Sequence, residues 1–462
     1  MKSFLGPSVR PQSDRAGNRL RIRAGDWTRR KFLGSAAKTL AVGSLAALEV
    51  SRFAHAAGSG TLRLGLVGCG GRGTAAAQNA LATGRDVQLV AMADLFDEKI
   101  ASSLTQLGKQ SLGGQLQVPK ERRFVGFDAL ERLLAAGVDG VILATPPGFR
   151  PLHFAAAASA GVHCFLEKPV AVDAPGIRQV RSANETARRK GLSAIVGLQD
   201  RFDKAIQALM AEIAKGTLGR ITSQEAVKRV NTGPKNHTRS DLQKELGHVA
   251  SELEFQIRNW FFFTWLSGDL IAEVLVHGID NCLWAAGSHP QSARGSTERR
   301  EHTKPDFGNV SDFLTVKFQY AGGMEMAAEM AFLANVGSQS RNAIAGELGV
   351  ATTRGNIVDH QGREIWNYGG PKNDRYQEEF NQWCDSIRQS QALNTVNSAA
   401  DSTLAAIMGR TAAYTGREVT WDQITASTET FFTHNPQSFQ DDPPDLPDKF
   451  GDYLVPPRGR PS

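Results

Sequence analysis

Residues 62–73 read LRLGLVGCGGRG, an apolar stretch that runs directly into a glycine-rich turn. Leu62–Val67 has the length and composition of a buried strand, and Gly68, Gly70 and Gly73 fit the pattern G-x-G-x-x-G. In this pattern the first glycine allows a tight turn, the second lets the backbone approach a pyrophosphate, and the third packs a helix closely on the strand. The stretch therefore predicts a strand–turn–helix unit that binds a dinucleotide.

A second apolar strand, at residues 87–93, ends at Asp94, which stands 21 residues after Gly73. A carboxylate in this place is expected to accept hydrogen bonds from ribose hydroxyls and to repel a 2′-phosphate, which favours NAD over NADP. The alternative is a solvated carboxylate at a strand end. The turn also offers Gly71 and Arg72 to the phosphates, although a surface arginine is equally consistent with the position of Arg72.

Strands and helical segments continue to alternate, with apolar strands at residues 140–144 and 162–166 around an Ala-rich segment at 153–160. This alternation predicts a parallel sheet covered on both faces. Strands with period-2 patterns then follow one another, which predicts an open, largely antiparallel sheet. They are expected at residues 221–230, 313–320, 324–332, 343–352 and 356–360. The fold class is therefore α/β, with an N-terminal Rossmann doubly wound sheet and a C-terminal α+β domain.

The chain begins with a three-part pattern typical of an export signal. Residues 29–33 read RRKFL, a mild apolar stretch follows at 36–48, and residues 54–56 read AHA, a site for a signal peptidase. The apolar stretch is too short and too interrupted for a stable membrane span. The pattern predicts export of the folded, cofactor-loaded protein through the twin-arginine machinery to the periplasm or the exterior. A disordered basic tail is the alternative.

Charge and cysteine usage narrow the classes of partner. Residues 1–56 carry 11 Lys and Arg against 3 Asp and Glu, a net of +8, so the whole-chain charge of +6 becomes −2 without them. A weakly acidic body gives no reason to expect nucleic acid or an anionic membrane as a partner. The four cysteines form no CxxC pair, so they are interpreted as free thiols and no metal site is expected.

Four segments follow from these patterns. Residues 1–56 are the export signal, 57–190 the NAD-binding domain, and 191–425 a domain for substrate binding and oligomerisation. Residues 426–462 form a Pro-rich tail that is expected to be an extended strap or a disordered end.

The tripeptide Glu167-Lys168-Pro169 follows the apolar strand at 162–166. The carboxyl end of a strand in a doubly wound sheet points into the ligand crevice. An ammonium there can exchange a proton with a substrate hydroxyl. Most lysines are simply solvated, so the tripeptide alone is only suggestive.

Residues 270–287 read LIAEVLVHGIDNCLWAAG, an apolar helix with a polar stripe. At about 100° per residue, Glu273, His277, Asp280 and Trp284 fall on one narrow face. His277 is a candidate general base, with Glu273 orienting it or binding substrate. The alternatives are a satisfied core histidine and an Asp280 that ties the helix down.

These motifs together resemble the Gfo/Idh/MocA oxidoreductases over about residues 62–421. The resemblance rests on the glycine turn, Ala144-Thr145-Pro146, His153 ahead of an Ala-rich helix, Glu167-Lys168-Pro169 and the E-x-x-x-H-x-x-D segment. It implies that Lys168 is the catalytic lysine and that His277 is the acid/base at the oxidised hydroxyl. The family usually has Asp in place of Glu273, and often Asn-x-Arg where this chain has residues 199–201, QDR.

The motifs and the resemblance together give a set of expected contacts. The catalytic residues are expected to be Lys168, His277 and Glu273. Cofactor contacts are expected from Gly68, Gly70, Gly71, Arg72, Gly73, Asp94, Thr145, Pro146, Glu167 and Lys168. Substrate contacts are expected from Lys168, Arg201, Arg258, Trp265 and Asp280. The aromatic run at 260–266 can stack on sugar faces or belong to the core, and the open sheet is expected to form a dimer or tetramer.

The leading functional hypothesis is an exported NAD-dependent oxidoreductase acting on a hydroxyl of a sugar, glycoside or cyclitol, with NADP a weaker alternative. A second hypothesis keeps the site and makes it an NAD-dependent glycoside hydrolase that oxidises its substrate transiently. A third is a sugar-binding protein without turnover. The oxidoreductase is expected to form keto-sugar products, and the hydrolase is expected to release free sugar. The binding protein is expected to contain no bound cofactor.

Overall fold

The computed structural model describes residues 60–110, 113–231, 236–334, 336–353 and 355–455. The export signal predicted for residues 1–56 lies outside these residues, as do the last seven residues of the predicted tail. Within the described residues, no helix has the length and apolar character that crossing a membrane requires.

Six strands in the described part of the chain pair in parallel in the order β3-β2-β1-β4-β5-β6. They are β1 Leu62–Val67, β2 Val87–Asp94, β3 Arg123–Val125, β4 Gly140–Leu143, β5 His163–Leu166 and β6 Ala194–Val196. The inner strands are apolar on both faces because helices cover both sides of the sheet. The predicted Rossmann sheet is confirmed. Its last strand extends beyond residue 190, the predicted domain boundary.

The helices of the described residues fall on both faces of this sheet and around a second one. They are α1 Gly71–Leu81, α2 Asp97–Gly108, α3 Ala129–Ala135, α4 Arg150–Ser159, α5 Ala174–Arg189, α6 Lys204–Ala214, α7 Arg239–Leu246, α8 Glu252–Arg258, α9 Thr264–Ser267, α10 Val276–Ala286, α11 Arg375–Arg388, α12 Val396–Thr415 and α13 Trp421–Ala426. One core contains α1, α2 and α11 against one face of the parallel sheet. Another contains α3, α4 and α5 against the opposite face and continues into the second sheet.

The second sheet has nine strands among the described residues, in the order β14-β13-β12-β11-β7-β10-β9-β8-β15. They are β7 Ile221–Val230, β8 Ser292–Glu298, β9 Phe313–Gln319, β10 Glu325–Phe332, β11 Gln339–Gly346, β12 Val350–Thr352, β13 Asn356–Val358, β14 Glu364–Asn367 and β15 Val419–Thr420. The pairs are antiparallel except for β7 and β10, so the prediction of a largely antiparallel sheet is confirmed. The single strand predicted at 343–352 is two antiparallel strands, because the chain turns back between Gly346 and Gly349, where the Gly346 N–H donates to the Gly349 carbonyl at 2.9 Å.

Two later helices return to the first sheet. Helix α11 places Phe380 against Phe165 of β5, with the ring centroids 4.1 Å apart. The long helix α12 runs through the largest core, where it contacts α5 of the first domain and β8 of the second. After α13 the chain has no regular secondary structure, yet it packs on the body through Phe432, Phe439 and Tyr453. These contacts agree with the strap interpretation of the tail up to residue 455.

Candidate active site

The glycine turn has the backbone geometry that its sequence predicts. Gly68 adopts a positive φ of 90°, and an added Cβ would lie 2.6 Å from the backbone of Ala144. At Gly73 an added Cβ would lie only 1.9 Å from the carbonyl oxygen of Gly68, so the close approach of α1 to β1 requires glycine. Gly70 and Gly71, in contrast, face open space.

The turn opens into a cavity of about 360 Å³, called here the turn cavity. Its lining includes Gly68, Gly70, Gly71, Asp94, Thr145 and Pro146 from the predicted set, together with Phe96, Phe127, Phe149, Arg258, Trp260 and Asn435. Helix α1 begins at this cavity, and its N-cap Gly70 provides no side chain for the first N–H groups. Free N–H groups at a helix start are ready-made donors for phosphate.

Asp94, at the end of β2, links the glycine turn to the segment that follows β2. One carboxylate oxygen accepts the N–H of Cys69 at 2.6 Å, and the other accepts the N–H of Phe96 at 3.0 Å. Burial raises the pKa of this carboxyl, against the opposing effect of those hydrogen bonds. Each oxygen of a carboxylate can accept more than one bond, so Asp94 retains acceptor capacity toward the cavity.

A second cavity, of about 610 Å³, lies beside the first and is called here the lysine cavity. Its lining includes Arg72, Thr145, Arg150, Glu167, Lys168, Gln199, Trp260, Glu273, His277, Asp374 and Tyr376. Ala144, Thr145 and Trp260 line both cavities. The two spaces therefore adjoin at the end of β4, where the carboxyl ends of the parallel strands form the ligand crevice of this fold.

Lys168 and Glu273 are bound to each other in the lysine cavity. The Lys168 Nζ lies 2.7 Å from Glu273 Oε1 and also donates to the Glu273 backbone carbonyl. Glu273 belongs to a π-helical turn, Ile271–Leu275, which precedes α10 and replaces the regular helix that the sequence predicts. The turn presents both the carboxylate and the carbonyl of Glu273 to one ammonium.

Glu273 Oε2 and His277 Nδ1, which belong to two residues lining this cavity, are buried and have no hydrogen-bond partner among the described residues. Burial and the neighbouring Lys168 charge lower the pKa of His277 well below its ordinary value, so the imidazole is neutral at neutral pH. Burial raises the pKa of Glu273, and the charge of Lys168 opposes that rise. A neutral imidazole with a free nitrogen is a proton acceptor suited to a substrate hydroxyl.

Arg72 and Glu167, predicted as cofactor contacts, line the lysine cavity rather than the turn cavity. Arg72 Nε lies 2.5 Å from Glu167 Oε1, and its Nη2 lies 2.9 Å from Glu379 Oε1 on α11. Its guanidinium also lies over the Tyr376 ring, 5.2 Å from the centroid. The arginine lies away from the phosphate side because two buried carboxyl groups hold it, and no pattern in the sequence pointed to Glu379.

Arg201 and Asp280, predicted as substrate contacts, line neither of the two cavities. Asp280 is 1% exposed and forms a forked ion pair with Arg201, at 2.8 Å and 3.1 Å from Arg201 Nε and 2.8 Å from its Nη2. Ser402 of α12 donates a further hydrogen bond to the same carboxylate. The pair therefore ties α10 to the first domain, which is the alternative role considered for Asp280.

Two other predicted substrate contacts lie elsewhere. Trp265 is fully buried in an aromatic core and donates its indole N–H to Gln256 at 2.7 Å, so it does not reach either cavity. Arg258 lines the turn cavity, where it pairs with Glu98 and Glu254. In the aromatic run it is Trp260, not Trp265, that lines both cavities.

Arg150 is a site residue that the sequence analysis missed. It is 1% exposed, lines the lysine cavity and donates to the carbonyls of Pro169 and Thr145. Burial lowers the pKa of its guanidinium to about 10, which leaves it charged at neutral pH. It fixes the tripeptide turn after β5 to the end of β4. A basic residue at the start of α4, just after Pro147-Gly148-Phe149, was the available signal.

Within the residues that the structure describes, no group of three or more His, Cys, Asp or Glu side chains is arranged to hold a metal ion. The four cysteines, all described, are free and buried.

Comparison with protein families matches this architecture in two adjacent stretches. Residues 62–198 match the model described as "Oxidoreductase family, NAD-binding Rossmann fold", and residues 206–352 match the model described as "GFO/IDH/MocA C-terminal domain". Together the two stretches cover more than half of the chain. The chain belongs to the Gfo/Idh/MocA oxidoreductase family. The lining residues of the turn cavity between positions 67 and 153 lie in the first matched stretch, and the others come from later in the chain.

Individual members of the Gfo/Idh/MocA family are distant relatives of this chain. An inositol 2-dehydrogenase of Leifsonia xyli subsp. xyli is 24% identical over 54% of the chain and 62% of that protein, which is less than two thirds of its length. Among solved structures, aldose-aldose oxidoreductase from Caulobacter crescentus, complexed with glycerol, is 16% identical with a TM-score of 0.59 over 78% of this chain and 99% of that one. Scyllo-inositol dehydrogenase from Lactobacillus casei, with bound NAD(H) and scyllo-inositol, is 18% identical with a TM-score of 0.57 over 78% and 99%. At these identities the two structures show a shared fold.

Proposed function

We propose that the protein is an NAD-dependent oxidoreductase that transfers hydride between the nicotinamide and a hydroxyl-bearing carbon of a sugar, glycoside or cyclitol. The observation that carries the proposal is the junction of the two cavities at Ala144, Thr145 and Trp260. One cavity holds the glycine turn, and the other holds Lys168 and His277. Family membership and relatives named for inositol oxidation support the same class of substrate.

The turn cavity fits a dinucleotide. No side chain covers the backbone at Gly70 and Gly71, and the space next to these two glycines is open to a phosphate group. The start of α1 offers N–H donors, and Asp94 offers acceptors suited to ribose hydroxyls and unfavourable to a 2′-phosphate. These features favour NAD over NADP.

The residues of the lysine cavity are proposed to accept the proton, stabilise the developing charge and position the lysine. When bound, NAD supplies the hydride acceptor. His277 accepts the hydroxyl proton at a ring nitrogen, and the Lys168 ammonium stabilises the negative charge that develops on the oxygen. Glu273 fixes the ammonium by two contacts, one from its carboxylate and one from its backbone carbonyl. The cavity is lined by equal numbers of cationic and carboxylate side chains, so it suits a neutral polyhydroxylated ring. They are Arg72, Arg150 and Lys168 on one side of the balance and Glu167, Glu273 and Asp374 on the other.

We further propose export by the twin-arginine route, on the pattern at residues 29–56. Free NAD is scarce outside the cytoplasm, so an exported enzyme of this class carries its cofactor and regenerates it in place. A carbonyl compound then takes back the hydride together with a proton, and one hydroxyl is oxidised for each carbonyl reduced. The proposed location is the periplasm or the exterior, and the proposed assembly is a dimer or tetramer.

The function is tested on protein purified from the exported compartment. The protein is incubated with NAD and one substrate at a time: myo-inositol, scyllo-inositol, glucose or a methyl glucoside. The products of each incubation are identified by mass spectrometry. We expect a keto product and NADH, or a matched oxidised and reduced pair with carbonyl added. Release of free sugar and methanol from the glucoside would identify the hydrolase hypothesis. Binding without any product would identify a sugar-binding protein.

A further inference from the structure

The tail segment 427–455, called here the strap, crosses the turn cavity. Asn435 of the strap lines that cavity directly. Four residues further on, the Phe439 ring stacks on Phe96 with centroids 5.7 Å apart and an angle of 16° between the rings. It also meets Phe127 edge-on at 5.2 Å. Both Phe96 and Phe127 line the cavity, so the strap packs on its wall.

The strap is anchored on both sides of this crossing. Before it, Asp173 accepts the N–H of Phe431 at 2.7 Å and the hydroxyl of Thr430 at 3.1 Å. Beyond it, Gln256 donates to the carbonyl of Asp445 at 2.6 Å. Near its end, Tyr453 is buried, with its hydroxyl 2.7 Å from Arg239 Nη2.

Phe96, which contacts the strap, also contacts an arginine of α8. The Arg258 guanidinium lies 3.8 Å from the centroid of the Phe96 ring and pairs with Glu98 at 2.7 Å and Glu254 at 3.0 Å. Phe96 is therefore held between an arginine of α8 and Phe439 of the strap. Segments from three distant parts of the sequence meet at one end of the turn cavity.

We propose that the strap is part of the dinucleotide site and holds the nucleotide as a resident group that does not exchange during turnover. The inference rests on the proposed function, because it takes the ligand of the turn cavity to be NAD. A ligand beneath the strap leaves only after the Phe439 contacts open, and such closure acts mainly on the dissociation rate. The strap gives a structural reason for a cofactor that survives export and is reoxidised in place.

The test compares two phenylalanines of the same tail. Phe439→Ala removes the ring that packs on Phe96 and Phe127, whereas Phe450→Ala removes a ring that is 75% exposed and serves as the matched control. Full-length proteins are kept with excess NADH for long enough that a slowly exchanging nucleotide is replaced. They are then passed through a desalting column and chased with excess NAD while NADH fluorescence is followed. We expect slow exchange in the parent and in Phe450→Ala. In Phe439→Ala the loss of two aromatic contacts is expected to speed dissociation by roughly tenfold.

A parent protein that exchanges NADH within the mixing time would overturn the proposal, as would a Phe439→Ala variant that exchanges at the parental rate. If Phe439→Ala does not fold, Asn435→Ala gives the same reading, because it removes a cavity contact and leaves every aromatic anchor in place. Turnover of the polyol panel with added NAD is measured on the same samples. Turnover with rapid nucleotide exchange would contradict the proposed role of the strap and support the proposed function. Slow exchange without turnover would support the role of the strap and contradict the proposed function.

Discussion

The turn cavity and the lysine cavity adjoin, yet they are built in different ways. The glycine turn that opens into the turn cavity is shaped by backbone, since Gly68 and Gly73 allow approaches that no side chain permits. The lysine cavity is shaped by side chains whose charges are paired, Lys168 with Glu273 and Arg72 with Glu167. A backbone site is readable from a short motif, whereas a paired site depends on partners that lie far apart in sequence.

Lys168→Met is expected to have the largest effect, because it removes the ammonium from the lysine cavity and leaves the turn cavity intact. Loss of a preorganised charge beside the reacting oxygen lowers kcat by about 10³-fold. The amount of NAD that copurifies should stay at the parental level. Lys244→Met, at an exposed lysine of α7, is the control and should keep full activity. A Lys168→Met enzyme with more than a tenth of parental kcat would remove this lysine from the mechanism.

Gly73→Ala makes the reciprocal test on the turn cavity. The new methyl group would lie 1.9 Å from the Gly68 carbonyl oxygen, so the turn must move. We expect NADH affinity, measured by fluorescence titration, to fall by roughly 100-fold. Gly108→Ala, where an added Cβ meets open space at the end of α2, should bind normally. Parental affinity in Gly73→Ala would contradict the backbone account of this cavity.

The sequence predicted the first sheet and the glycine turn because both depend on local pattern. It placed Asp280 in the cleft because a helical projection separates faces but cannot tell which neighbour each residue meets. In the fold, Asp280 meets Arg201, while Glu273 and His277 reach the cavity from a π turn and the helix after it. The apolar run at 260–266 has no periodicity from which to choose Trp260 over Trp265.

The contact of the strap with the turn cavity and the contact of Glu379 with Arg72 could not be predicted from local sequence for a related reason. Asn435 reaches the turn cavity because the tail returns across the first domain, and Glu379 reaches Arg72 because α11 packs beside α1. Both contacts join residues several hundred positions apart. Only the path of the chain in three dimensions brings them together.

Glu379→Gln is expected to change how stability depends on pH. Burial, followed by the charge of Glu167, raises the pKa of Glu379 to about 8. The folded state then binds more protons than the unfolded state between about pH 4.5 and 8, so this carboxyl favours folding below that window and costs stability as the pH rises through it. Between pH 6 and 9 the parent should lose on the order of 2 kcal/mol that Glu379→Gln does not lose. Thermal unfolding at the two pH values measures the difference.

The neighbouring Glu378→Gln on the same helix is the control for this experiment. It removes a carboxylate that accepts hydrogen bonds from Gln382 and Asn381 on the helix surface, so its unfolding should follow the parental pH dependence. Equal slopes for the parent and Glu379→Gln would mean that Glu379 keeps its charge throughout, held by Arg72.

The two tryptophans of the aromatic run give the smallest effect and separate the cavity from the core. Trp260→Phe replaces the indole at the junction of the cavities by a smaller phenyl ring. We expect KM for an active polyol to rise about threefold, with little change in Tm. Trp265→Phe leaves Gln256 without its buried indole partner, so Tm should fall while KM stays constant. Because the two substitutions are chemically identical, only position can cause a difference. The opposite outcome, with KM following Trp265, would return that residue to the substrate site and place Trp260 outside it.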